Sequence, residues 1–210
     1  MKKLIFYILL IFFTLHANAQ VKENLKIPKN PKIGLSLSGG GAKGFAHVGV
    51  LKVLDSLGVK VDYISGTSMG AIVGGLYASG YTGKDIEKII LDTDFYNLIS
   101  NQNNRAESSF FNKSVDKYLL KVPIKNGKAT LPTSISSGQK NLYLLKELFK
   151  NVSNINDFSK LPIPFMCVAT NLETGKIKIF ENGDLSESIL ASSAFPSLMD
   201  PVKIGDSIYV

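Results

Sequence analysis

The stretch Tyr63-Ile64-Ser65-Gly66-Thr67-Ser68-Met69-Gly70 decides how this chain is read. A short apolar strand runs into Gly-x-Ser-x-Gly, and the small-residue segment Ala71 to Ser79 follows as a helix. This is the layout of a nucleophile elbow, in which a sharp strand-to-helix turn lifts a serine hydroxyl above the end of a sheet. Glycine suits both flanking positions because a side chain there would strike the turn or the neighbouring strand. The new helix aims its N-terminus at the serine, and its free N–H groups favour negative charge at that point. Ser68 is therefore the candidate nucleophile, with Gly66, Thr67, Met69 and Gly70 forming its elbow.

Upstream, Ile33, Leu35 and Leu37 alternate with Gly34, Ser36 and Ser38, as in a strand. Gly39-Gly40-Gly41-Ala42-Lys43-Gly44 comes next. Apolar residues at helical spacing then run from Phe45 to Leu57, and Gly58 stands where a C-terminal capping glycine belongs. A second strand is expected over Val59 to Ser65. Strand, glycine loop, helix, strand, elbow, helix is a start best satisfied by a parallel sheet with helices on its faces. The expected fold class is α/β, a three-layer α/β/α arrangement around a largely parallel central sheet.

Further along, Thr82-Gly83-Lys84-Asp85 resembles a helix N-cap with an acid in the first turn, ahead of Ile86, Ile89 and Ile90 on one face. Ser100 to Ser109 is polar and without period, as a loop is. Leu119 to Ile124 and Lys128 to Leu131, joined by Asn126-Gly127, predict a hairpin. Leu142 to Phe149 predicts an amphipathic helix, Ile163 to Thr170 and Lys176 to Phe180 two strands, and Leu185 to Ser193 a short helix.

The chain has 210 residues, enough for one domain. Its first 19 residues resemble a secretory signal peptide: Lys2 and Lys3, an apolar run from Leu4 to Leu15, and the small-residue site Ala17-Asn18-Ala19. Residues 20–32 are Lys/Asn/Pro-rich and serve as a linker, leaving 33–210 as the domain. Export to the periplasm, the outer membrane or the medium is the expectation. Removal of the signal lowers the formal charge from +7 to +5 and leaves His47 as the sole histidine. A mildly basic surface would be drawn weakly to an anionic membrane surface. Nucleic acid is not indicated, because no Lys/Arg stripe interleaved with aromatics occurs. Cys167 is the only cysteine and lies in an apolar run, so neither an internal disulfide nor a cysteine metal site can be built. No metal and no cofactor is expected.

A nucleophilic serine needs a base and donors for the oxyanion. The glycine loop offers the donors, since its backbone N–H groups can approach a ligand unobstructed, and Met69 N–H is a further one. The histidine inventory decides the base. In α/β-hydrolases the order is Ser, acid, His, and no histidine follows Ser68. His47 lies inside the first helix and is better suited to a structural role. The remaining candidate is a carboxylate, with its pKa raised by partial burial.

These features together resemble the patatin-like phospholipase family. The resemblance rests on Gly39 to Gly44 as oxyanion loop, on Gly66-Thr67-Ser68-Met69-Gly70 as elbow, and on Ala191-Ser192-Ser193-Ala194-Phe195-Pro196. Ala169-Thr170-Asn171 is similar to the family's Ala-Thr-Asp step. It runs from about Ile33 to Val210. It implies a lipid acyl hydrolase with a Ser-Asp dyad, acting on phospholipid or other acyl-lipid substrate. It also implies that the partner aspartate opens an Asp-Gly-Gly or Asp-Gly-Ala motif immediately after Val210, where the sequence stops. Asp200 and Asp206 stand at positions that do not match. A C-terminal outer-membrane barrel in secreted bacterial relatives belongs to the same resemblance.

Two alternatives remain at this point. Gly39-x-Gly41-x-x-Gly44 also fits a dinucleotide-binding fingerprint, with Asp62 falling 18 residues after Gly44. A catalytically inactive lipid-binding module is the other. Oligomeric state is unassigned by sequence.

Overall fold

The computed structural model describes residues 31–100, 124–125, 128–129 and 134–210. The expected signal peptide, nearly all of the linker, the polar segment 101–109 and the Asn126-Gly127 turn lie outside the described residues.

The chain enters strand β1 (Gly34–Leu37), a 3-10 turn (Gly41–Phe45) and helix α1 (Ala46–Ser56), then β2 (Tyr63–Thr67) and α2 (Met69–Ala78). Helices α3 (Gly83–Asp92) and α4 (Phe95–Ser100) follow, then the short strands β3 (Ile124–Lys125) and β4 (Lys128–Ala129). After them come α5 (Gln139–Leu148), β5 (Phe165–Thr170), β6 (Ile177–Phe180), α6 (Leu185–Ser193), β7 (Val202–Ile204) and β8 (Ser207–Tyr209).

The central sheet has the order β1-β2-β5-β6. β1, β2 and β5 are parallel, with Leu37 opposite Gly66 and Gly66 opposite Cys167. β6 turns back antiparallel on β5. The α/β class and the largely parallel sheet are thus as the sequence predicts. Parallel neighbours place the C-terminal ends of β1 and β2 side by side, so the glycine loop and Ser68 leave the sheet at the same end.

One face of the sheet carries the core. Leu37, Ile64, Phe165, Cys167 and Phe180 are buried there, and register puts them on one side. Helix α2 lies directly on this face: a methyl group added at Gly74 would meet Ile64, Leu37 and Phe165. Each large side chain so buried contributes about 1.5–3 kcal/mol. On the opposite face Tyr63, Met166, Ile177 and Ile179 are exposed. The described residues thus supply the sheet and the helices of one face. Burial pushes the Cys167 thiol up to about 12, which makes it an inert core group, as its apolar surroundings suggested.

Local chemistry explains the helix ends. Thr82 and Asp85 form a reciprocal capping box at the start of α3, with Thr82 N–H donating to Asp85 Oδ2 at 2.9 Å and Asp85 N–H to Thr82 Oγ1 at 3.2 Å. Asp55 joins three helices by accepting from Tyr77 Oη at 2.6 Å and from Gly83 N–H at 2.7 Å. Two boundaries differ from expectation. β2 begins at Tyr63 rather than Val59, because Val59 N–H still bonds to the Leu54 carbonyl of the preceding helix. The first turn after the glycine loop is 3-10, following Gly40 at φ 147° and opening on Gly41 at φ 56°. Of the predicted hairpin the described residues show the antiparallel pair β3–β4, with Ile124 opposite Ala129, while 119–123, 130 and 131 lie outside them.

Candidate active site

Ser68 sits between β2 and α2 with φ 53° and ψ −121°. A non-glycine residue held at positive φ costs about 1–3 kcal/mol and persists only where the surroundings over-determine it. The surroundings can be named. Gly66 has the Gly70 carbonyl and the Ala71 backbone so close that a Cβ would lie 2.5–2.7 Å from them. At Gly70 a Cβ would run into the Leu37 carbonyl. Helix α2 is thereby drawn tight against the ends of β1 and β2, and the turn between them must be sharp.

The Ser68 N–H is held from a distant part of the chain. It donates to Ser192 Oγ at 2.9 Å, and Ser192 Oγ donates to the Val168 carbonyl at 2.6 Å. Ser192 is buried and reaches across from α6. No pattern within the elbow points to it; the Ala191-Ser192-Ser193-Ala194-Phe195-Pro196 segment was legible only as part of the family resemblance.

The glycine loop lies against the serine. A Cβ built on Gly39 would stand 3.1 Å from Ser68 Cβ and 3.9 Å from its Oγ. Gly40 and Gly41 take positive φ, and Gly40 O closes the next turn by accepting from Lys43 N–H at 3.2 Å. Among the described residues no acceptor takes the N–H of Gly39, Gly40, Gly41 or Met69. Ala42 and Lys43 are exposed on the rim, while Gly44 is buried beneath them. A Cβ at Gly44 would lie 2.6 Å from Met69 Cγ, so this glycine lets the loop seat on the elbow. His47 Nε2 is 2.9 Å from the Ser38 carbonyl. A carbonyl only accepts, so Nε2 carries a proton and donates, fixing the start of the loop. This contact at the root of the loop is in keeping with the structural role that its helical position implied.

The arrangement bears on the other sequence-level candidates. Asp62 precedes β2, at the opposite end of the strand from Ser68, and its Oδ2 accepts the Ile33 N–H at 2.8 Å. The glycine loop leaves the C-terminal ends of the strands. Asp62 and the loop thus lie at opposite ends of the sheet, which removes the ribose-binding acid that a dinucleotide site requires. Asp206 lies in the turn between β7 and β8. Asp200 accepts from Ser134 Oγ at 2.5 Å. Among the described residues no acceptor or base engages Ser68 Oγ, and no three His, Cys, Asp or Glu side chains converge as metal ligands do.

Ser68, Gly40 and Gly41 open onto a cavity of about 550 Å³. Its floor is the α2 face of Met69, Ile72, Val73 and Leu76, spaced i, i+3, i+4, i+7. Leu144, Leu145 and Leu148 of α5, Ile89 and Ile90 of α3, and Phe95 of α4 wall it. Phe195, Leu198 and Met199, in the chain after α6, complete the lining. A polar rim and a hydrocarbon interior fit a ligand with a polar head at Ser68 and an apolar tail.

Comparison with known proteins agrees with this geometry. The model of the patatin-like phospholipase family matches residues 35–210. An uncharacterised NTE family protein of Mycobacterium tuberculosis is 30% identical over 175 residues, 83% of this chain and 41% of that protein. Lysophospholipase NTE1 of Debaryomyces hansenii is 32% identical over 183 residues, 87% of this chain and 10% of that protein. The chain therefore spans less than half the length of these curated relatives. Among solved structures, VipD from Legionella pneumophila superposes with a TM-score of 0.53 at 19% identity, over 85% of this chain and 45% of that one, which is a likeness of fold. With its family model covering the elbow, the glycine loop and the Ser192 segment alike, this chain belongs to the patatin-like phospholipase family.

Proposed function

We propose that this chain is a lipid acyl hydrolase that cleaves acyl esters of phospholipids or related lipids through Ser68. The observation that carries the reading is the strained Ser68, beside unengaged glycine amides at the mouth of an apolar cavity. Ser68 Oγ attacks the ester carbonyl, and its proton passes to a carboxylate. The carbonyl oxygen gains negative charge and is held by the N–H groups of Gly40, Gly41 and Met69. The alkoxide of the lipid leaves with a proton, giving an acyl-serine, and water then releases the fatty acid. One oxyanion donor of this kind is worth about 10²–10³ in rate.

The base in this mechanism is an aspartate following Val210, as the family resemblance implies. The hairpin of β7 and β8 supports that position. Val210 and Thr170 exchange hydrogen bonds at 2.7 and 2.9 Å, and Leu172 N–H donates to the Ile208 carbonyl at 2.8 Å. In that register one further residue would fall opposite Ala169, just beyond the pairing of Val168 with Thr67 that ends β2. That residue would come level with Ser68. The name of the Debaryomyces relative, a lysophospholipase, is in keeping with one acyl chain in one cavity. The basic balance and the signal-like start favour action at a membrane surface after export.

A fluorophosphonate that labels active serines tests the reading. The expected outcome is labelling of Ser68 in a chain extended past Val210, abolished by Ser68→Ala. Binding of lipid without labelling in that extended chain would leave only an inactive lipid-binding module.

A further inference from the structure

A second cavity, of about 600 Å³, lies between α3 and α5 and has charged and polar walls that include Asp85, Lys88, Asp92 and Asn151. Four side chains line both cavities: Ile89 and Thr93 from the end of α3, and Leu144 and Leu148 from α5. They form a septum, apolar towards Ser68 and backed by charge on the far side. Thr93 fits the apolar side because its hydroxyl donates to the Ile89 carbonyl at 2.6 Å. The septum is tied to the far end of the α2 floor. Tyr81 N–H donates to the Leu76 carbonyl at 3.2 Å, and Tyr81 Oη donates to the Leu148 carbonyl at 2.6 Å.

We propose that Ile89, Thr93, Leu144 and Leu148 end the acyl channel and set the length of chain that Ser68 accepts. The proposal rests on the reading of Ser68 as the lipid-ester nucleophile. From Ser68 to Leu76 the floor runs eight residues of helix, about 12 Å at 1.5 Å per residue. Carbon–carbon bonds of about 1.5 Å, zigzagging in an extended chain, cover that distance in about nine or ten carbons. Methylenes up to that point exchange water for leucine and isoleucine. A longer chain must displace the septum and would then meet Asp85, Lys88 and Asp92, where burial of hydrocarbon gains nothing. The natural occupant is thus a single acyl chain of medium length, or a longer one that bends back to the mouth.

Equilibrium binding of saturated fatty acids of six to sixteen carbons tests this on the chain itself. Affinity should rise about fourfold per methylene, then level near ten carbons. Leu148→Ala and Ile89→Ala should move that break two or more carbons upward, and Ile89→Phe should move it down. The Phe variant keeps the test decisive if a truncated side chain impairs folding. A break that stays in place in folded variants, or an affinity indifferent to chain length, overturns the septum. Labelling of Ser68 by a short ethyl fluorophosphonate, run in parallel on the chain extended past Val210, separates the two readings. A fixed break with labelling intact refutes the septum alone. A moved break without labelling refutes the nucleophile and keeps the channel.

Discussion

Ser192, 124 residues away in sequence, accepts a hydrogen bond from the backbone N–H of the strained Ser68 and donates one from its hydroxyl to the Val168 carbonyl. One side chain thereby ties α6 to the ends of both β2 and β5. Ser192→Ala would leave a donor and an acceptor unsatisfied in a part-buried place, a cost of about 1–3 kcal/mol. For a domain of this size that is a fall in Tm of roughly 2–4 °C per kcal/mol. The elbow would also relax, and a small misplacement of a nucleophile can cost about a hundredfold in rate. Ser56→Ala is the control, since Ser56 Oγ bonds only to the Val53 carbonyl of its own helix on an exposed face. It should change stability by no more than the roughly 0.5 kcal/mol typical of surface changes, a Tm shift of about 2 °C or less. Thermal unfolding and the rate of fluorophosphonate labelling check both.

The glycines of the elbow should not tolerate a methyl group. At Gly70 the obstacle is the Leu37 carbonyl, and at Gly66 it is the backbone of Gly70 and Ala71. Backbone cannot move aside as a flexible side chain can. Gly70→Ala is expected to cost several kcal/mol, in line with overpacking of a close contact (about 1–3, occasionally more). Gly49 supplies the contrast. It lies within α1, nothing stands within 4 Å of its Cβ position, and Gly49→Ala should stabilise by about 0.5–1 kcal/mol through helix propensity. Chemical denaturation of the two variants should move in opposite directions.

These two sets of residues mark what a sequence shows and what it withholds. Gly66, Ser68 and Gly70 are legible because a strand-turn-helix bend imposes its demands within five residues. Thr82 and Asp85 are legible for the same reason, as a capping box closes within one turn. Ser192 is not, because its partners are chosen by where α6 lands on the sheet. The cavity is half legible. The α2 floor follows from helical spacing at Met69, Ile72, Val73 and Leu76, but the walls from α3 and α5 depend on packing between helices far apart in sequence. The start of β2 was misplaced because Val59 has strand-like chemistry yet completes the C-terminal turn of α1.

His47 offers a clean discrimination between a positioning role and a catalytic one. Its Nε2 donates to the Ser38 carbonyl at 2.9 Å, at the root of the glycine loop. Loss of one such hydrogen bond costs about 0.5–1.5 kcal/mol. His47→Ala in a chain extended past Val210 should slow labelling of Ser68 by about tenfold or less, the rate equivalent of that energy. His47→Gln, which retains an N–H donor, should recover part of the loss. Abolished labelling in both variants would make His47 the base and displace the carboxylate mechanism.

Alkaline pH should weaken the fold through two groups. Burial pushes the Cys167 thiol from its ordinary 9.0 up to about 12. Burial, then the hydrogen bond to Asp55 and its charge, hold the Tyr77 hydroxyl at about 12 rather than 10.0. In both cases the folded state keeps a proton that the unfolded chain gives up sooner. Stability contributed this way is complete below about pH 9 and is lost as pH rises through 9 to 12. Denaturation midpoints measured across that window should fall, and Tyr77→Phe and Cys167→Ala should each flatten the fall. The same burial predicts a kinetic signature. At pH 8 the folded protein should resist iodoacetamide, and full alkylation of Cys167 should appear only with denaturant. Rapid alkylation of the folded chain would place Cys167 outside the core and, with it, overturn the packing of β5 beneath α2.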